Sequence, residues 1–321
     1  MTLDGLLLVD KESGCTSHDV VQMVRRIFRQ KRVGHCGTLD PDATGLLLLT
    51  LGQATRLTRF LIQARKIYEG SITFGLETDT YDASGRTIAE RPVDGLSAPA
   101  IDAAMRAFSG TFEQRLPAYS AHKIQGVKLY EMARRGDEIP VANKVVTVDE
   151  FVRLTELTGG ERPRIDFRLT CSSGTYARSL AHEVGAAVGT GGHLSALRRT
   201  RIGKPGLWFD IAQAIPLAEA DRRHSAGSGL GDAWIPLAQI PLPFATAILD
   251  ASQERRAVNG QTVILPALGG ATGDWVRMVD RVGDLIAVGS IVEALGSSGT
   301  GVLQPRIVFK SGPDVVGFSR I

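Results

Sequence analysis

The 321-residue sequence has only three cysteines, Cys15, Cys36 and Cys171, and no C-x-x-C pair. A disulfide framework is therefore excluded, and a reducing cytoplasm is the expected setting. Long apolar runs are missing as well. Segments such as Leu46–Leu49 fall far short of the ~20 residues of a membrane helix, so no membrane span is expected. Met1–Asp10 has no basic stretch leading into a long apolar core, which speaks against secretion. Cofactor motifs are absent: Gly189-Thr-Gly-Gly-His193 fails G-x-G-x-x-G, and Gly203-Lys204-Pro205 lacks the hydroxyl residue of a phosphate-cradling loop. No G-x-S-x-G elbow occurs. His35 beside Cys36 has no second ligand pair at finger-like spacing, so neither metal nor cofactor is expected. There is no internal repeat and no extended low-complexity tract.

The chain does have enough apolar surface for a packed core: 43% of its residues are apolar and the mean hydropathy is +0.02, which excludes a largely disordered chain. Its length suggests about two domains. The net charge of +3 hides an uneven distribution. Residues 20–39 hold Arg25, Arg26, Arg29, Lys31 and Arg32 and no acid. Residues 114–136 hold Arg115, Lys123, Lys128, Arg134 and Arg135 against Glu131 alone, and residues 184–209 hold Arg198, Arg199, Arg201 and Lys204 with no acid. Outside these windows acids exceed bases by 33 to 23. Basic segments on an acidic body read either as a polyanion-binding face or as solvated helix faces.

Leu6–Val9 reads as a buried strand. Thr16 and Asp19 resemble a capping box, and Val20, Val21, Val24, Ile27 and Phe28 at helical spacing predict a helix over about Ser17–Arg29. The stretch Gly34–Gly45, with three glycines and Asp40-Pro41 at its centre, reads as a loop, and Leu46–Leu51 as another buried strand. Residues 66–77 alternate, with Tyr68, Gly70, Ile72, Phe74 and Leu76 on one face of a half-buried strand. Ile101–Phe108 predicts a helix closed by Gly110, Ile165–Cys171 an alternating strand, and Tyr176–Val188 a helix. The Ser/Gly-rich run at 224–231 and Ile240-Pro-Leu-Pro243 mark a boundary. Beyond it, Trp275–Val279 and Leu285–Val288 form a hairpin that, with Arg306–Phe309, indicates a small β-rich unit. No βαβ repeat appears, so the class is mixed α+β, with domains at 1–240 and 241–321.

Within the loop, Asp40 lies among glycines that let a backbone approach a ligand closely, directly after the densest basic stretch. A carboxylate beside a polyanion-binding surface is an electrostatic liability unless it is paired or used. Arg178, just past the turn Ser172-Ser173-Gly174, is a suitable partner that would keep it ionised and oriented as a nucleophile.

Gly34-His-Cys-Gly-Thr-Leu-Asp-Pro-Asp-Ala-Thr-Gly45 resembles the catalytic segment of the bacterial tRNA pseudouridine-55 synthases, the TruB type. The resemblance continues at Lys66–Gly70, Thr78–Gly85, Pro117–Gly126 with Tyr130 and Ala133-Arg134, Cys171–Arg178 and Gly192–Arg199. Residues 276–309 are similar, more loosely, to the family's C-terminal PUA-like domain. The resemblance implies a mainly antiparallel central sheet flanked by helices, and a cofactor-free isomerase acting as a cytoplasmic monomer on uridine 55 in the T-arm of tRNA. Asp40 would be the nucleophile, attacking the base or the ribose anomeric carbon. Tyr68 would stack on the uracil and is a candidate acceptor for the carbon-5 proton. Arg178 would pair with Asp40, Tyr176 would shape the pocket, and Leu197 would wall the base. His35 would fill the gap left by the flipped uridine, where re-stacking offsets part of the cost of extrusion. Lys11, Lys123, Arg198 and Arg199 would contact phosphate. The chain departs from the family pattern at Glu12, where proline is usual, at Ala177, where a β-branched residue is common, and at His182, where an acid is frequent. Asp42 falls at a variable family position and is not assigned a catalytic role.

Two rival readings follow from the same residues. A base-removing hydrolase would need a second carboxylate, for which Asp79 or Asp82 are the candidates. A non-catalytic tRNA-binding or folding protein would need only the basic windows and the PUA-like tail.

Overall fold

A computed structural model of the chain describes residues 2–117, 119, 123–124, 126–129, 132, 135, 137, 142–266, 268–295 and 299–309. The class is mixed α+β. The first strand, β1 (Gly5–Lys11), is followed by α1 (Ser17–Ile27), whose Thr16–Asp19 capping box forms as expected and whose buried face is Ser17, Val20, Val21 and Val24. Arg29, at φ 47°, turns the chain into β2 (Val33–His35), and β3 (Thr44–Leu51) follows the loop carrying Asp40. The predicted loop is therefore bounded more tightly than its glycines suggest: His35 is the last residue of β2, and Thr44 and Gly45 already belong to β3.

β4 (Arg65–Phe74) stops at Gly75, whose φ of 87° breaks the alternation that predicts one strand to residue 77. Then come α2 (Ala98–Ala107), β5 (Gly110–Arg115), β6 (Asn143–Arg153), β7 (Arg164–Cys171), α3 (Ala177–Ala187) and the long β8 (Gly192–Lys204). Among the described residues these strands belong to an eleven-stranded sheet, with the order Ile215–Pro216, β1, β3, β8, β4, β7, β6, β5 along its main path. Two of its pairings, β3 with β8 and β1 with Ile215–Pro216, are parallel, and the rest along this path are antiparallel.

One face of β4 and β7 buries Tyr68, Ile72, Phe74, Ile165, Phe167 and Leu169 against α2 and α3 through Ile101, Met105, Leu180 and Val184. This apolar layer fixes α3, and hence Arg178, over the middle of the sheet. A separate five-stranded sheet is built from Ala245–Ile248, Val263–Leu265, Trp275–Val279, Leu285–Leu295 and Thr300–Val308. No strand pairing joins the two sheets among the described residues. They share an apolar cluster, in which Leu6, Leu8, Leu46 and Leu48 of the first sheet meet Val279, Leu285, Val288 and Ile307 of the second.

Candidate active site

The Asp40 loop is held by buried side chains on both sides. Ser17 Oγ accepts from Leu39 N at 2.8 Å and donates to Leu39 O at 3.2 Å. Lys11 Nζ donates to the carbonyls of Glu12, Pro41 and Ala43 at 2.9, 2.9 and 2.7 Å. Arg199 donates from Nη2 to Gly37 O at 3.0 Å, from Nη1 to Thr38 O at 3.3 Å and from Nε to Leu46 O at 2.7 Å. Lys11 and Arg199 are each 1% exposed. Their charges face inward, committed to backbone carbonyls, which does not favour the expected contact with phosphate.

Arg198 lies where its predicted role allows contact, half-exposed, yet its guanidinium makes a two-point ion pair with Asp10 at 2.7 and 3.0 Å. Arg201 is likewise paired with Asp210. The basic window at 184–209 thus contributes much less free surface charge than its composition implies, whereas Arg26, Arg29, Lys31 and Arg32 are exposed. Lys123 lies in a two-residue strand, Lys123–Ile124, and its side chain is outside the described residues.

The structure brings Asp40 and Arg178 together. Arg178 Nη1 stands 3.0 Å from Asp40 Oδ2 and 3.3 Å from Asp82 Oδ2, and Nη2 donates to Tyr119 O at 2.6 Å. One guanidinium, 6% exposed, therefore serves two carboxylates. The carboxylates differ. Burial raises the pKa of Asp82, but hydrogen bonds from Ser84 and Thr80 and the charge of Arg178 outweigh it and hold Asp82 below the usual range. Asp40 is held above its usual range: burial raises it, Arg178 opposes this, and the Asp82 charge raises it further. Arg178 thus orients Asp40 without fully offsetting its desolvation.

The pH dependence follows in sign. If ionised Asp40 is the reactive form, single-turnover rates fall as pH drops through its raised pKa. Arg178→Gln is expected to move that acid limb to higher pH, and Asp82→Asn to lower pH. Limbs that stay in place in both variants would contradict this reading of the cluster.

In the sequence Asp82 reads only as a possible second acid, and its sharing of Arg178 has no local signature. Its position depends on Tyr81, at φ 67°, whose ring stacks on His182 with centroids 4.0 Å apart and planes 13° apart. His182 is one helical turn after Arg178 on α3, so neighbouring loop residues engage the same helix face.

Tyr68 is buried in β4 directly opposite Arg199 in the β8 register. Burial holds its phenol above the usual range, against the opposing charge of Arg199. Leu197, half-buried, packs on the cluster that contains Tyr68, Leu39 and Ala43. Tyr176 caps α3; Gln114 pins its backbone on both sides, at 2.8 and 3.1 Å, and the Arg178 guanidinium lies 5.7 Å from its ring centre. His35 is half-buried with Nδ1 unpartnered among the described residues, and burial first, then Arg199, push it below its usual range. It is thus a neutral ring at neutral pH.

Lys66 escaped the sequence reading. It is buried, donates to Ile62 O at 2.7 Å and Ala64 O at 2.6 Å, and is pushed down to about 8 by burial and by Arg199. Cys36 and Cys171 nearby are pushed up to about 12 by burial, which leaves them inert thiols. A groove of about 650 Å³ borders Leu197 and Arg198, but its walls include Glu69 and Ser71, which alternate away from Tyr68 along β4.

The model of the TruB family pseudouridylate synthases (N terminal domain) matches residues 25–177, a span containing Asp40, Tyr68 and Asp82. A tRNA pseudouridine synthase B of Thermobifida fusca is 39% identical over 311 residues, 95% of this chain and 98% of that protein. The chain belongs to the TruB family. The tRNA pseudouridine synthase B of Opitutus terrae is 45% identical over 225 residues, 69% of this chain and 92% of that protein. Among solved structures, an H/ACA RNP bound to a substrate RNA containing 2'-deoxyuridine has a chain with TM-score 0.70 and 24% identity, over 95% of this chain and 85% of that one. A Cbf5-Nop10-Gar1 complex has one with TM-score 0.69 and 25% identity, over 94% of this chain and 84% of that one. The likeness of fold to these chains covers residues of both sheets.

Proposed function

We propose that this TruB-family protein isomerises uridine to pseudouridine at position 55 in the T-loop of tRNA. The observation that carries the reading is Asp40: a carboxylate held by Arg178 in a place where its ionised form is disfavoured. A protein that only bound RNA would have no use for such a group. In the reaction, uridine flips out of the loop and His35 fills the vacancy. Asp40 attacks, the bond from C1′ to N1 breaks, and uracil turns between Tyr68 and Leu197. C1′ then bonds to C5 as the bond that Asp40 formed breaks and its carboxylate is returned, the C5 proton leaves, and N1 gains a proton, so atoms and electrons balance without a co-reactant. The support for Asp40 as nucleophile, rather than general acid, is the fixed guanidinium at 3.0 Å.

The proposed division is a catalytic unit at 1–240 and a PUA-like RNA-binding unit at 241–321, supported by the two separately paired sheets. The T-arm of tRNA is the proposed partner, the cytoplasm the proposed location, and a monomer the proposed active form. Asp82 revives the hydrolase alternative on paper, but among the described residues it shares the Asp40 guanidinium and accepts from Thr80 and Ser84, which does not favour it as a base for water.

The reading is tested with tRNA transcripts tritiated at uridine carbon 5. Wild-type protein should release tritium from normal tRNA and none from a transcript in which uridine 55 is replaced by cytidine. Unchanged release from the substituted transcript would contradict the site assignment. Tyr68→Phe keeps the ring and removes the hydroxyl. If the hydroxyl moves the carbon-5 proton, single-turnover rates should drop by about 10²–10⁴, with RNA affinity within a few-fold of wild type. Retained rates would leave Tyr68 as a stacking wall alone.

A further inference from the structure

We propose that Arg199 is the positioning residue of this site, tying the loop that carries Asp40 to the strands that carry Tyr68 and thereby fixing the nucleophile and the ring in one register. The proposal rests on the reading of Asp40 and Tyr68 as the reacting pair.

Four observations support it. Arg199 is 1% exposed and makes no ion pair among the described residues, although isolated buried charge is costly. Its donors go to three carbonyls on two pieces of chain: Gly37 and Thr38, just before Asp40, and Leu46, where β3 has begun. Its own backbone pairs with Tyr68 on one side and with Gly45, the last residue of the motif loop, on the other. Its charge also opposes the upward push of burial on the Tyr68 phenol opposite it. Lys11 and Ser17 hold the loop at Leu39, Pro41 and Ala43, so Arg199 is what fixes its upstream arm. A planar guanidinium can serve three separated carbonyls at once, whereas a lysine ammonium delivers its protons from a single point.

This predicts a separation of rate from affinity. Arg199→Lys should lower the single-turnover rate about 100-fold, the scale on which a misplacement of ~1 Å is felt. Affinity for a T-arm stem-loop should stay within twofold, and so should the slope of log affinity against log salt. Filter binding at several salt concentrations, single-turnover tritium release and thermal unfolding are measured on the same preparations. A weaker affinity with a salt slope reduced by about 0.7 would make Arg199 a phosphate contact and overturn the proposal. A wild-type rate per folded molecule would overturn it too, because a purely structural arginine costs only stability.

Should Arg199→Lys fail to fold, Gly37→Ala tests the same link from the other side. A Cβ at Gly37 has ordinary room, with Arg199 Nη1 and Lys66 Cε both at 3.6 Å, but its φ of 121° disfavours any side chain, so the carbonyl that Arg199 grips must shift. A fall in rate of at least about tenfold at unchanged affinity is expected, and an unchanged rate contradicts the proposal. Asp40→Asn is run alongside. If that variant still turns over, the assignment of the reacting pair has failed; if Asp40→Asn is inactive and the Arg199 and Gly37 variants run at wild-type rate, only the role of Arg199 has.

Discussion

Asp40→Asn is expected to abolish turnover while leaving RNA binding intact and raising the melting temperature. Removing a covalent nucleophile costs about 10⁴-fold or more in rate, because the remaining groups can only bind and orient the substrate. The gain in stability follows from the sign of the shift. Asp40 has a pKa raised in the folded protein, chiefly by burial, so ionising it at neutral pH weakens the fold relative to the unfolded chain, by a small amount because its side chain is 41% exposed and screened by solvent. Asparagine has no charge to desolvate. The stabilisation should be largest at neutral pH and should shrink as pH falls through the raised pKa of Asp40, where the wild-type group also becomes neutral. Melting curves at several pH values check this, and a lower melting temperature for the variant at pH 7 would contradict it. A stability–activity trade-off of this kind is expected of a charged group kept for chemistry.

Gly45→Ala is expected to destroy the site together with much of the stability of the first sheet. A Cβ there would lie 2.3 Å from Arg199 O and 2.8 Å from Arg199 N, both backbone atoms that cannot swing away. The φ of 101° adds strain for any side chain. The parallel pairing of β3 with β8 at this point requires the close approach. Together these place the variant among the severe cases, at a loss of about 4 kcal/mol or more in denaturant unfolding. Gly14→Ala is the control: its φ is 88° but nothing lies within 4 Å, so only the backbone strain of about 1–2 kcal/mol remains. Similar losses for the two variants would show that crowding between the strands is not what demands glycine at Gly45.

The motif residues were legible because their chemistry is local. Thr16 and Asp19 announce the start of α1, and alternation places Tyr68 on the inner face of β4. The glycine-framed Asp40 points to a paired carboxylate, and Arg178 is the partner found. What was not legible depends on long-range pairing. β8 carries Arg198, Arg199 and Arg201 in its middle, and nothing in so basic a run signals a thirteen-residue strand at the centre of a sheet. Pairing with β3 and β4 on its two sides overrides its local preference. Lys11, Lys66 and Arg199 look like surface charges in sequence because such residues are rarely buried. Only the fold shows that backbone carbonyls of the turns around them consume their donors. Reading the basic windows as one RNA face therefore credited the surface with charge that is in fact internal. The sharing of Arg178 between Asp40 and Asp82 was hidden in the same way, since it requires a loop 42 residues downstream to return to the same helix.

The most direct test of the account is tritium release from tRNA labelled at uridine carbon 5, followed for wild type and Asp40→Asn with strand integrity checked on the same RNA. The account predicts one equivalent released from position 55 by wild type, an intact strand without abasic sites, and no release by Asp40→Asn despite wild-type RNA affinity. Release by Asp40→Asn at the wild-type rate, or an abasic product from wild type, would contradict it.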